Sequence, residues 1–401
     1  MITSKNSPET IQKTIYSILF IISFSHFIND LLQAVIPSVY PLFKEKFNLT
    51  FGQIGMITFT YQLTASILQP FVGIYTDKKS KPYSLIIGMS FTLLGLLVAS
   101  IASNLTYLLL AVSLIGIGSS IFHPESFRVA HLASGGKKGL AQSIYQLGGS
   151  AGSAIGPLLA ALIIVPNGQS SVVWFCLIAL IGIFALYKIA IWYSRHLETK
   201  RQNKDLLNEV FIHKLSKKKI AYSLIILLVL IFSKYFYLAS ITSYYTFFLI
   251  DKFNVSIQVS QIYLFAFLGA VAAGTLLGGT LGDKFGRKYV IWVSILGVAP
   301  FTLMLPYVSL FWVGILSVII GLIISSAFSA ILVYATELLP GKVGVVAGVF
   351  FGFAFGMGGL GSAILGKLAD LTSISYIFKI CAFLPLIGLA AGFLPNIESK
   401  K

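Results

Sequence analysis

Apolar residues dominate the chain in twelve successive stretches, at about 15–40, 52–75, 83–103, 105–126, 140–165, 171–193, 220–249, 257–281, 289–309, 311–334, 343–366 and 374–394. Each is near the ~20 residues needed to cross a hydrocarbon core, and short turns rich in Gly, Pro, Asn or Lys separate them. The pattern predicts an all-α membrane protein with twelve transmembrane helices. The one long polar segment, 194–219, divides the stretches six and six. The chain therefore reads as a six-helix bundle over 1–193, a basic cytoplasmic linker over 194–219 and a second six-helix bundle over 220–401. The first stretch far exceeds the core of a signal peptide and no small-residue cleavage site follows it, so it is expected to stay in the mature protein.

Composition removes the soluble alternatives. Charged residues are 10% of the chain and apolar ones 57%, against roughly a quarter charged in soluble domains. A net charge of +16 would suggest nucleic acid in a soluble protein, but the distribution of the basic residues gives it another meaning. With loops assigned to alternate sides, twenty-two lysines and arginines fall on one side, and Lys44, Lys46, Lys252, Lys367 and Lys379 on the other. Such a bias places both termini and the middle loop on the cytoplasmic side of the membrane. The charge then faces anionic lipid, with no call for nucleic acid. Trp174 and Trp312 sit near outer helix ends and Trp192 and Trp292 near inner ones, as interfacial anchors do. Cys176 and Cys381 lie inside apolar runs and suggest neither a disulfide nor a metal framework.

The two halves share their punctuation. Gly73 and Asp77 recur 206 residues later as Gly279 and Asp283, and Gly136-Lys137-Lys138-Gly139 recurs 205 later as Gly341-Lys342-Val343-Gly344. Both recurrences follow equivalent helices, the sign of an internal duplication. The second loop, Gly279-Thr-Leu-Gly-Asp283-Lys284-Phe-Gly286-Arg287-Lys288, resembles the signature between the second and third, and the eighth and ninth, helices of the major facilitator superfamily. The first copy lacks the later Gly-Arg pair. On the fifth stretch, Gly148, Gly152 and Gly156 recur every fourth residue, a spacing that lets helix backbones approach. Gly152-x-x-x-Gly156-Pro157 resembles the fifth-helix signature of proton-coupled antiporters in that superfamily, with alanines, Ala160 and Ala161, replacing its terminal glycines. Gly344, Gly348, Gly352 and Gly356 form the counterpart on the eleventh. Two soluble-enzyme patterns, Gly148 to Gly152 around Ser150 and Gly356 to Gly361, lie inside membrane stretches and lack the strand-turn-helix context that gives them meaning.

Polar groups within the apolar stretches carry the candidate chemistry, because an ionised side chain at a helix centre costs ~2.5–3.5 kcal/mol even on the insertion scale. On the first stretch His26, Asp30 and Gln33 share a face with Asn29 alongside. The seventh carries Lys234 with Tyr235, Tyr237, Tyr244 and Tyr245. The fourth ends in Phe122-His123-Pro124-Glu125-Ser-Phe-Arg128, and the fifth offers Gln142 and Gln146. The resemblance implies that the first, fourth, seventh and tenth helices line a central pathway. A lone intramembrane acid beside an imidazole is expected to couple protons, which gives Asp30 and His26 that role, with Glu125 and His123 as a further ionisable pair. Lys234 either pairs with Asp30 or binds an anionic substrate, together with Gln33, Asn29, Tyr237, Gln142, Gln146 and Tyr244. The resemblance assigns gating to Asp77, Asp283, Arg287 and Gly279, with Asp283 and Arg287 closing the cytoplasmic side. Glu337, just before Pro340, reads as structural.

His26-Phe-Ile-Asn-Asp-Leu-Leu-Gln33 and the run from Phe122 to Pro157 are narrower than the superfamily patterns and resemble drug exporters of that superfamily. The resemblance implies a monomeric antiporter that exchanges a small anionic drug for protons, with the proton gradient as its energy source and neither cofactor nor metal. An importer of a small organic anion or organophosphate would use the same cavity and Lys234. An intramembrane enzyme built on Ser150 and the histidines is the remaining alternative.

Overall fold

The computed structural model describes the backbone of residues 14–202, 216–339 and 341–395, with side chains throughout except at 200–202, 276–280 and 282–284. Its helices are α1 (Tyr16–Ser38), α2 (Phe51–Lys78), α3 (Ser84–Ile101), α4 (Leu105–Leu132), α5 (Lys138–Leu159) and α6 (Phe175–Gln202) in the first half. The second half holds α7 (Lys217–Phe253), α8 (Ile257–Phe285), α9 (Arg287–Leu296), α10 (Leu310–Leu338), α11 (Val343–Leu371) and α12 (Ile374–Cys381). Short helical turns extend α1, α5, α9 and α12 to membrane-spanning length. Among the described residues eleven spans are long and apolar enough to cross a membrane. The twelfth helix, α2, does not meet that standard; it carries Gln62, Gln69 and Asp77 and packs closely on α11 of the other half.

The apolar stretches and the helices end at different places. α4 runs on to Leu132, α6 to Gln202 and α11 to Leu371, while α7 begins at Lys217. The bilayer limits the length of an apolar run, but a helix continues into the aqueous boundary because its own hydrogen bonds persist there. Of the segment 194–219, residues 203–215 lie outside the described residues. α9 and α12 are shorter than their apolar stretches because Pro300 and Pro385 interrupt the hydrogen-bond ladder just beyond them. The duplicated loops have a backbone reason: Gly136 and Gly341 take φ of +87° and +78°, a left-handed conformation that lets the chain turn into α5 and into α11.

The halves meet along two long seams, α2 against α11 and α5 against α8. Close approach on the first requires small residues: a Cβ on Gly348 would lie 2.6 Å from the Gln69 carbonyl oxygen and 2.9 Å from the Pro70 Cα. Within this seam Gln69 is fully buried, and neither amide atom of its side chain has a hydrogen-bond partner. The row Gly148, Gly152 and Gly156 faces inward to its own half, where added methyls would run into Ser23, Phe27 and Ala34 of α1. Its spacing therefore holds α5 to α1.

Replacing Gly348 by leucine should pry α2 from α11 and destabilise the protein by ~1–3 kcal/mol, the usual range for overpacking. Gly269, with open space around the position of a Cβ, is the control: Gly269→Ala should leave the melting temperature of the detergent-purified protein unchanged, and Gly348→Leu should lower it.

Candidate functional site

A cavity of about 270 Å³ lies between the halves, walled by residues of both. Asp30 of α1 is its acid. Its Oδ2 lies 3.2 Å from His26 Nε2 and its Oδ1 3.4 Å from His123 Nε2, while Asn29 Nδ2 donates to Oδ1 at 3.0 Å. His26 and Asp30 meet because four residues bring side chains to one helix face; His123 arrives from α4. Both imidazoles are fixed from behind. His26 Nδ1 lies 2.9 Å from the Tyr145 carbonyl oxygen, with its ring stacked on Tyr145 at 4.1 Å between centroids. His123 Nδ1 is 3.1 Å from the Ser119 carbonyl oxygen. A carbonyl only accepts, so His26 Nδ1 carries a hydrogen and its Nε2 turns to the carboxylate; His123 Nδ1 also lies 3.1 Å from the Ser119 hydroxyl, which can donate to it or accept from it. Gly149 of α5 makes room, since a Cβ there would lie 2.6 Å from Asp30 Oδ2 and strike the His26 ring.

Among the described residues this is the one His/Asp grouping compact enough to hold a cation. Each nitrogen faces a carboxylate oxygen directly at hydrogen-bond length. The arrangement suits the shuttling of protons.

Lys234 enters from α7 and is buried, with its Nζ 5.5 Å from the Phe328 ring centroid and 5.8 Å from that of Tyr235. Among the described residues it forms no ion pair within 4 Å, and it lines the same cavity as Asp30. An ammonium between aromatic faces keeps part of its electrostatic stabilisation and remains available to an anion. Gln33 lines the cavity, and its Oε1 accepts from Tyr61 of α2, whose phenol the sequence reading had passed over; Gln146 also lines it. The amide nitrogens of both glutamines lack partners.

Four expected binding residues lie off the cavity wall. Tyr237 is buried on another face of α7, and the Tyr244 hydroxyl donates to the Ser362 carbonyl at 2.6 Å. Asn29 supports Asp30 from within the helix packing, and Gln142 sits a turn below Gln146. Ser150 does line the cavity, with its hydroxyl 3.2 Å from Thr275 Oγ1 and no base beside it among its hydrogen bonds.

Glu125 belongs to a different cluster from His123, because two residues apart on a helix means nearly opposite faces. Glu125 Oε1 lies 3.2 Å from Arg128 Nε, and Arg128 Nη2 is 2.8 Å from Asp77 Oδ1. Asp77 also accepts from the backbone N–H groups of Gly344 and Val345, at 3.2 and 2.9 Å. The first turn of α11 has no side-chain cap of its own, so a carboxylate from the other half supplies one. Arg128 ties this contact together through Thr76 as well. Arg287 pairs with Glu337 of α10, a contact that agrees with a structural role for that acid. Of the gating candidates Gly279 and Asp283 only the backbone is described, so the contacts expected of them lie outside the described residues.

Toward the lysine-rich end the cavity is lined by Phe328, Phe351 and Phe355, which with Phe127 pack on one another and on His123. At the opposite end Tyr40 hydrogen-bonds Thr58 at 2.7 Å, and Thr58 approaches Ser243 at 3.4 Å.

The family model of the Major Facilitator Superfamily matches residues 22–362 and 227–401. The fosmidomycin resistance protein of Escherichia coli (strain K12) is 59% identical over 388 residues, 97% of this chain and 95% of that protein. An uncharacterised MFS-type transporter of Bacillus subtilis (strain 168) is 44% identical over 397 residues, 98% and 97% of the two chains. Among solved structures, the Escherichia coli fucose:proton symporter superimposes with a TM-score of 0.66 at 15% identity, covering 95% of this chain and 99% of its own; that likeness concerns the fold.

Gly149→Ala should displace the His26–Asp30 pair and reduce transport about tenfold, measured as substrate flux in reconstituted liposomes. Circular dichroism of the same preparation should remain helical and unchanged.

Proposed function

We propose that this chain, which belongs to the Major Facilitator Superfamily, exports small anionic drugs of the fosmidomycin type across the bacterial cytoplasmic membrane in exchange for protons. The observation that carries the reading is one cavity lined by both the His26–Asp30–His123 cluster and Lys234, which has no carboxylate partner among the described residues. Asp30 with its histidines takes up protons on the acidic outer side and releases them inside. Lys234, helped by the unpaired amide nitrogens of Gln33 and Gln146, binds the phosphonate. The protein works as a monomer with both termini in the cytoplasm, and its energy source is the proton gradient, without a cofactor.

Energetics favour export over import for such a substrate. Moving one charge through 100 mV is worth about 2.3 kcal/mol, and the negative interior already drives an anion outward. Exchanging one monoanion for one entering proton moves two charges in the favoured sense, ~4.6 kcal/mol, or about three powers of ten in concentration. An importer of the same anion would need protons merely to cancel its charge. Exchange follows when the carrier returns with a proton in place of the substrate, so that each crossing carries one or the other.

Everted membrane vesicles with a preformed acidic interior provide the test. Fosmidomycin should dissipate the pH gradient through the wild-type protein, and Asp30→Asn should reduce that signal at least tenfold while the protein remains in the membrane. Proton exchange at the wild-type rate by Asp30→Asn would refute the assignment, and phosphonate taken up together with protons into intact cells would identify an importer.

Lys234→Gln should abolish the response to phosphonates and spare part of the response to neutral compounds. Equal loss for both classes would place Lys234 in the proton path or the packing.

A further inference from the structure

The α2–α11 seam is fastened twice, once at each end, and by the same device. At the lysine-rich end Asp77, at the C-terminal end of α2, accepts from the first backbone N–H groups of α11. At the opposite end Asp370, at the C-terminal end of α11, accepts from the first N–H groups of α2: Phe51 N lies 3.0 Å from its Oδ1 and Gly52 N 2.8 Å from its Oδ2. Each carboxylate completes the N-terminus of a helix in the other half, where orphan N–H groups and the helix dipole both favour negative charge.

The two fastenings differ in strength. Asp77 is held by the buried Arg128, itself paired with Glu125, and it provides α11 with the only side-chain cap seen at that terminus. Asp370 is exposed and makes no ion pair among the described residues, while α2 keeps its own capping box, Thr50 with Gln53. Parting the lysine-poor end therefore leaves α2 capped and Asp370 hydrated, whereas parting the other end uncovers a buried guanidinium network. We infer that Asp370 is the latch of the lysine-poor end, the weaker counterpart of the Asp77 contact, and that the difference between the two sets which end of the cavity opens more readily. The inference holds for any substrate and does not depend on proton coupling.

The test reads access to the cavity. In a full-length protein with Cys176→Ala and Cys381→Ala, Thr242→Cys places a thiol on the cavity wall. A membrane-impermeant maleimide added from the lysine-poor side should label it about tenfold faster when Asp370→Ala is introduced, and more slowly when Asp77→Ala is introduced. A second pair of variants removes the donor and leaves the acid. Phe51→Pro deletes the N–H bound by Asp370 at a helix-start position that accepts proline, since Thr50 is already extended with ψ of 164°. Phe51→Ala loses the same ring but keeps the N–H. Phe51→Pro should label severalfold faster than Phe51→Ala. Equal rates for that pair, or an unchanged rate in Asp370→Ala while Asp77→Ala shifts it, would overturn the inference.

Discussion

A carboxylate inside a membrane protein has to be met by hydrogen bonds or by a proton, and Asp30 places that demand on three helices at once. α1 supplies His26 and Asn29, α4 supplies His123, and α5 supplies the Tyr145 carbonyl behind one ring and the bare backbone of Gly149 beside it. The glycine row of α5 follows from the same demand, because only a close α1–α5 contact brings Tyr145 under His26. The acid is thus built entirely within one half of the molecule, while the ammonium that shares its cavity comes from the other. Motion between the halves then changes the distance between the two charges without disturbing the hydrogen bonds that hold the acid.

The seams convert that separation of roles into a moving part. Helix termini are unsatisfied by nature, and here they are completed across the boundary between halves. A contact of that kind is strong when made and tolerable when broken, because water replaces the carboxylate at an exposed terminus. The aromatic floor at the lysine-rich end works differently: it excludes water by area and has no direction. Directional contacts at the rim set register, and apolar ones nearer the cavity make the seal.

Much of this was written in the sequence. Twelve apolar stretches gave the spans, and the four-residue spacing of His26 and Asp30 gave half of the acid cluster, because both signals are local. The His123–Asp30 contact joins residues of two helices, and no periodicity within either one could select His123 over Glu125, which turned to Arg128 instead. On α7 the cavity takes Lys234, Tyr235, Leu238, Ala239, Thr242 and Ser243, an arc of roughly half a turn at about 100° per residue. Tyr237 and Tyr244 fall outside that arc on the same angular count, so their hydroxyls face away from the cavity, as the spacing alone could have shown. Tyr61 and Asp370 escaped notice for another reason. One is a phenol among many, the other a helix-end acid like any other, and only the neighbour across the seam distinguishes them.

Gln69 gives the closed seam a particular temper. Its carboxamide is sealed between α2 and α11 with neither atom bonded, and such a group forfeits hydration that it regains as soon as the helices part. Closure at that level works against a small spring. A wholly greasy residue in its place would act as glue, and a carrier that must part and rejoin its halves in every cycle is better served by a joint already leaning toward release.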